Sequence, residues 1–179
     1  MITRIGGGNT RAARALRAGS RFGRQVQEYT WGGHEWEVLQ RAFAAGLAVP
    51  EPIYTTEGAI LMELFATARG EVAPPLARAD LSPREAQGVF AALCGDIEQL
   101  LWLDLIHGDL SPYNILWNGE GCRIIDFPQA IDPRFHGNAF GLLQRDVQNV
   151  ASFCARFADV PGPTAVAAEL WERYQHGGD

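Results

Sequence analysis

Residues 107–126 read HGDLSPYNILWNGEGCRIID. Two apolar runs, Ile115–Trp117 and Cys122–Ile125, flank Asn118-Gly119-Glu120-Gly121. That composition predicts two short strands joined by a turn. Antiparallel pairing sets the start of the first strand beside the end of the second. Asn114 and Asp126 are therefore expected to be neighbours in space, and Asp109 lies on the loop feeding the first strand. Two carboxylates and one carboxamide converge at one end of the hairpin. A hard divalent cation such as magnesium takes oxygen ligands of this kind and leaves room for phosphate oxygens and water. Asn114 and Asp126 are thus candidate metal ligands. Asp109 is left to accept a proton from an attacking hydroxyl, or to attack phosphorus itself. The competing reading is a capped surface turn followed by an unrelated strand-end acid. A bare H-x-D supports nothing more, but the full pattern at fixed spacing favours the chemistry.

Upstream of this stretch lies a well-marked helix. Ser82 is a capping residue, Pro83 suits the first helical position, and Glu85 completes a capping box. Ala86, Phe90, Leu93, Ile97, Leu100 and Leu101 then form an apolar stripe to about Asp104. An earlier helix is expected from about Gly33 to Ala45, where Glu35, Trp36, Leu39 and Phe43 recur at helical spacing. Gly46 closes it and Pro50 prevents its return. Two short runs follow, Pro52–Thr56 and Ala59–Leu64, with Glu57-Gly58 as a hairpin turn. Residues 69–78, RGEVAPPLAR, read as loop. Downstream, Leu142, Leu143, Val147, Val150, Phe153 and Phe157 recur at three and four, and a last helix is expected over Ala165–Tyr174. Residues 1–30 read as irregular, with Gly6-Gly7-Gly8 near the start.

Composition bounds the remaining choices. The chain has 179 residues, 47% hydrophobic, and no apolar run long enough for a membrane-spanning helix. Three scattered cysteines with no C-x-x-C pair read as small core residues in a reducing compartment, the cytoplasm. Net charge is −6 but uneven: residues 1–27 carry six arginines and no acid, the rest nine arginines against 21 acids. There is no lysine; every side-chain cation other than histidine is arginine.

The pattern H-x-D-L-x-x-x-N, then a short hairpin and an aspartate, resembles the protein-kinase-like superfamily. HGDLSPYNIL, IIDFPQAID and LLQRDVQNVASF together resemble the RIO family of atypical kinases. TWGGHEWEVLQRAFAAGLAVPEP and ILMELFATARGEVAPPL are similar to that family's first helix and hinge. The resemblance implies an α+β, protein-kinase-like fold. A mostly helical C-lobe carrying the catalytic β-hairpin would span residues 67–176. An incomplete N-lobe of a helix plus a β-hairpin would span 31–66, behind a basic, poorly ordered arm at 1–30.

By the same resemblance, Asp109 is the catalytic aspartate, and Asn114 and Asp126 bind Mg2+. Glu35 is the helix glutamate that pairs with a phosphate-binding lysine. Met62 gates the adenine pocket, and the backbone from Glu63 to Phe65 faces the adenine edge. His107 holds the loop in shape, and Asp146, from a helix start, accepts catalytic-loop N–H groups. ATP and Mg2+ are the implied cofactors. The implied activity is that of a serine/threonine kinase or an ATPase with an aspartyl-phosphate on Asp126. The chain departs from the pattern in having neither the lysine nor a phosphate-covering loop before Glu35, so activity of this chain is expected to be impaired. The alternatives are a small-molecule phosphotransferase of the aminoglycoside-kinase type and a pseudokinase or interaction module. The basic arm points to a protein or ribosomal-particle partner, and no membrane association is expected.

Overall fold

The computed structural model describes residues 21–56 and 59–177, with side chains from residue 33 onward. The Gly6-Gly7-Gly8 run and the Glu57-Gly58 turn lie outside the described residues. The first helix, α1, spans Arg21–Ala44, so it begins well before the expected start near Gly33 and takes in residues 21–30, which the sequence reading left irregular. Its buried residues Val38, Leu39 and Ala42 face the body of the molecule. The helix ends as the sequence demands. Gly46 adopts a positive φ of 81°, Gly46 N–H donates to Phe43 C=O at 2.9 Å, and Leu47 N–H donates to Ala42 C=O at 3.1 Å. This is the paired-bond stop that a left-handed glycine makes possible.

β1 (Pro52–Thr56) and β2 (Ala59–Met62) pair antiparallel, Tyr54 opposite Leu61 and Thr55 opposite Ile60. Ile60 and Met62 pack toward the core, while Ile53, Tyr54 and Leu61 remain exposed on this two-stranded sheet. β2 stops at Met62 rather than Leu64, although one further backbone bond, Glu63 N–H to Glu51 C=O at 2.8 Å, continues the pairing past its end. A single 3-10 turn, Leu76–Arg78, interrupts the loop expected at residues 69–78 and buries Leu76 completely.

α2 (Pro83–Trp102) has the capping box read from the sequence. Glu85 N–H donates to Ser82 Oγ at 3.3 Å, and Ser82 N–H donates to Glu85 Oε2 at 2.8 Å. The helix buries Ala86, Val89, Phe90, Leu93, Ile97, Leu100 and Leu101 along one face. Each larger side chain there contributes about 1.5–3 kcal/mol relative to exposure. It ends at Trp102, short of Asp104, which sits in the left-handed region at φ 54°. β3 (Ile115–Trp117) and β4 (Cys122–Ile124) form the second hairpin, with Ile115 opposite Ile124 and Trp117 opposite Cys122. α3 (Ala139–Cys154) and α4 (Pro163–His176) pack on each other and on α2. Phe157 lies past the end of α3 and packs edge-on against Phe153. One core joins α1, the three later helices and the second hairpin. Cys122 and Cys154 are buried in it, Cys94 is half-buried, and all three thiols are free.

Candidate active site

The hairpin register decides the site. With Ile115 opposite Ile124, the ladder continues through Ile125 N–H donating to Asn114 C=O at 3.0 Å. Asn114 and the residue before Asp126 are therefore bonded neighbours, as turn geometry required. Asn118 fixes that register from the far end: its Oδ1 accepts from the N–H groups of Glu120 at 2.9 Å and Gly121 at 2.8 Å.

Asp109 is exposed in an otherwise buried run, between Gly108 and Leu110. Its loop is held from three sides. Asp146, 2% exposed, accepts from Gly108 N–H at 2.8 Å and from Leu110 N–H at 2.9 Å. Arg145 donates to Gly108 C=O. Asn149 Nδ2 donates to Leu110 C=O at 2.8 Å. Asp146 thus accepts the loop amides as expected, but from the body of α3 and not from a helix start. Burial pushes its carboxyl up to about 6, although the two N–H donors oppose the rise. Arg145 and Asn149 carry roles that the sequence reading did not single out; they sit in the quoted RDVQNV segment, where only the aspartate stood out chemically.

His107 is buried, and burial pulls its pKa below the usual histidine value. A neutral ring fits its contacts: Nε2 lies 3.1 Å from Ile125 C=O as donor, and Nδ1 accepts from Asp109 N–H at 3.4 Å. The ring packs on Phe127, with centroids 4.7 Å apart. His107 therefore ties the loop of Asp109 to the strand end before Asp126. Gly108 adopts φ 79°, and a Cβ there would meet the Gln129 carbonyl oxygen at 2.6 Å, so this crossing of two backbones admits only glycine.

Asn114 Nδ2 donates to Asp109 C=O at 3.0 Å, leaving its Oδ1 as a free acceptor among the described residues. Asp126 is exposed and sits at φ 71°, a conformation disfavoured for a residue with a Cβ. Glu35 stands next to it. Burial, then the Asp126 carboxylate, raises the Glu35 pKa, while Phe127 N–H and His34 oppose the rise. Among the described residues no ion pair is made to Glu35. Asp109, Asn114, Asp126 and Glu35 are thus tied into one neighbourhood.

Met62, Glu63 and Phe65 lie on the strand end and the segment that follows it. Met62 is half-buried against the core. Glu63 N–H is taken by Glu51 C=O at 2.8 Å, and Phe65 C=O by Ala73 N–H at 2.9 Å. Glu63 C=O and Phe65 N–H have no partner among the described residues. The Phe65 ring is buried beneath the Arg123 guanidinium, 4.8 Å from centroid.

The donor set tests the fit of a metal. Among the described residues no group of three or more His, Cys, Asp or Glu side chains could cage a cation. The free oxygens of Asn114 and Asp126 suit a cation that takes few protein ligands and completes its shell with phosphate and water, which is the habit of magnesium. Among the described residues no helix is long and apolar enough to cross a membrane.

Residues 8–164 match the family model described as RIO domain. The serine/threonine-protein kinase rio1 of Schizosaccharomyces pombe is 30% identical over 127 residues, covering 70% of this chain and 25% of that protein. The RIO-type serine/threonine-protein kinase Rio2 of Methanocaldococcus jannaschii is 34% identical over 128 residues, covering 69% of this chain and 44% of that protein. Among solved structures, the Rio2 kinase of Chaetomium thermophilum in an ADP/Mg2+-phosphoaspartate complex superposes with a TM-score of 0.70 at 25% identity, over 98% of this chain and 57% of that one. The chain therefore spans a quarter to just over half of the length of these relatives. The α+β architecture is the protein-kinase-like fold, and the chain belongs to the RIO family of atypical protein kinases.

Proposed function

We propose that this chain binds a magnesium nucleotide and transfers the γ-phosphoryl group of ATP, first to Asp126 and then to water. The observation that carries the reading is the β3–β4 register, which sets the free oxygens of Asn114 and Asp126 at the end of the hairpin beside Asp109. Asn114 and Asp126 would hold the cation, whose contribution when bound is to neutralise phosphate charge. Glu63 C=O and Phe65 N–H, without a partner among the described residues, offer one acceptor and one donor to an adenine edge next to Met62 in the chain. A carboxylate oxygen of Asp126 attacks the γ-phosphorus, the bond to the β,γ-bridging oxygen breaks, and ADP leaves. Water then attacks the acyl phosphate and Asp109 takes its proton. A structure neighbour named as an ADP/Mg2+-phosphoaspartate complex supports the first of these transfers. A protein hydroxyl could replace water in the second step, which is the serine/threonine-kinase variant that the relatives' names support.

Family membership favours this reading over an aminoglycoside-type phosphotransferase. The pseudokinase alternative draws on one observation, the absence of any lysine to meet Glu35 and the phosphates. Reduced turnover follows from the same absence. The free thiols suit a reducing compartment, and we place the protein in the cytoplasm.

The test is label transfer from γ-labelled ATP. With Mg2+, the protein is expected to take up label that hydroxylamine releases, as an acyl phosphate requires. Asp126→Asn should take up none. Asp109→Asn should take up label and retain it, with turnover reduced at least a hundredfold. Label uptake by Asp126→Asn would place the chemistry elsewhere.

A further inference from the structure

α1 is fastened to the C-terminal body by two side chains that the catalytic reading does not use. His34 Nε2 donates to Ala130 C=O at 2.7 Å, and Arg41 donates to Leu103 C=O. The two donors are i and i+7 on the helix, about two turns apart, so they share one face. Their acceptors lie on two stretches of chain that are themselves joined. Ile106 and Ile131 exchange both backbone bonds, each at 2.9 Å. One stretch runs from Leu103 through this bridge into His107 and Asp109. The other runs from Asp126 through Ala130 to the same bridge. The Leu103 turn is anchored in turn, because its neighbour Asp104 is held by Arg134 at 2.7 Å and by the Tyr174 hydroxyl at 2.8 Å.

A reason for such fastening lies in the charges. Glu35, next to His34, stands beside Asp126, and like charges at short range repel. The chain has no lysine to neutralise the pair. The Phe127 N–H and His34 offset part of that repulsion, and the remainder acts to separate α1 from the segment that carries Asp126. We propose that His34 and Arg41 are a two-point clamp, a pair of positioning residues that hold α1 against the Ile106–Ile131 bridge and so keep Asp126 in place for a magnesium nucleotide. Neither side chain touches the reacting atoms. The consequence for the nucleotide rests on the reading of Asp126 given above; the fastening itself does not.

The experiment compares wild type, His34→Ala/Arg41→Ala and His34→Gln/Arg41→Lys, which restores a donor at each position. Amide exchange of residues 127–131 in the ligand-free protein should accelerate at least tenfold in the alanine pair and return to within about threefold of wild type in the conservative pair. The dissociation constant for Mg-ATP should rise about tenfold in the alanine pair, with binding of ATP in EDTA changed less than twofold. Should the alanine pair fail to fold, each single alanine variant carries the same comparison at a smaller scale. Unchanged exchange in the alanine variants overturns the clamp, and so does a conservative pair that exchanges as fast as the alanine pair. A wild type that binds no Mg-nucleotide overturns the proposed function instead, and the exchange data still decide the clamp.

Discussion

At the scale of single residues, the loop around Asp109 shows how tightly its neighbours are held. Gly108, Leu110 and His107 are buried and bonded, while Asp109 between them is exposed. Gly108 has the narrowest tolerance, because its positive φ and the 2.6 Å approach to the Gln129 carbonyl both exclude a Cβ. Gly108→Ala is expected to destabilise the protein by about 2–4 kcal/mol, more than a strain-free glycine replacement, which urea unfolding would measure. His107 gives a pH signature. Its folded pKa lies below the unfolded value of 6.5, so between the two the unfolded chain binds more protons and stability falls as pH drops below about 6.5. Asp146 has the opposite sign: its folded value of about 6 lies above 3.8, so its contribution improves as pH falls through that window. His107→Gln is expected to cost stability at pH 7.5, and the cost should shrink at pH 6, because the variant has no imidazole to protonate on unfolding. A cost that grows towards pH 6 would show that His107 is charged in the folded protein.

At the scale of elements, two local devices look alike and are expected to act differently. The capping box of α2 starts a helix whose N-terminus lies away from the site residues; Ser82→Ala should lower stability by about 1 kcal/mol and leave Mg-ATP affinity within twofold. Asn118 closes the turn that sets the β3–β4 register, with two N–H groups bonded to its Oδ1. Asn118→Ala should cost about 1 kcal/mol as well, and in addition weaken Mg-ATP binding severalfold, because the far end of the ribbon carries Asn114 and leads to Asp126. Calorimetric titration of both variants separates the two outcomes. Equal affinity in both would mean that the hairpin keeps its register without its turn.

For the whole molecule, the question is how a helix and a two-stranded sheet are held on a helical body to frame the proposed nucleotide site. The β1–β2 sheet exposes Ile53, Tyr54 and Leu61, so it has little of its own to stabilise it. The attachment runs through the α1 core residues, Ile60 and Met62 of the sheet, the Ile124 N–H bond to Ala48 C=O at 2.8 Å and the bonds from His34 and Arg41. A ligand that bridges Glu63–Phe65 and Asp126 joins both parts. Mg-ATP at a hundred times its dissociation constant should therefore raise the melting temperature by roughly 5–10 °C, from about 2.7 kcal/mol of linkage in a chain of this size. No shift at millimolar Mg-ATP would favour the interaction-module reading.

Much of this could be read from the sequence because the relevant forces are local. The capping box, the glycine stop after α1 and the turn at Asn118 are each specified within a few residues. The twofold repeat of a β-ribbon then converts the spacing of Asn114 and Asp126 into proximity. The start of α1 at Arg21 is hard to read locally: Phe22, Val26 and Tyr29 stand at helical spacing, but Gly23, Gly32 and Gly33 interrupt the run and weaken a helix reading. Asp146 accepts the loop amides as the resemblance implies, but not from a helix start, because the helix already begins at Ala139 after the cap-type residue Asn138. The contacts of His34, Arg41, Arg145 and Asn149 were not legible at all. Each is a polar side chain reaching a backbone carbonyl far along the chain, and a carbonyl has no sequence signature. The sequence by itself determined the ribbon and the proximity of Asn114 to the segment of Asp126, because short-range backbone geometry leaves little choice. Only the tertiary structure decided what Glu35 faces and how α1 is secured, because those depend on long-range hydrogen bonds whose acceptors every residue possesses.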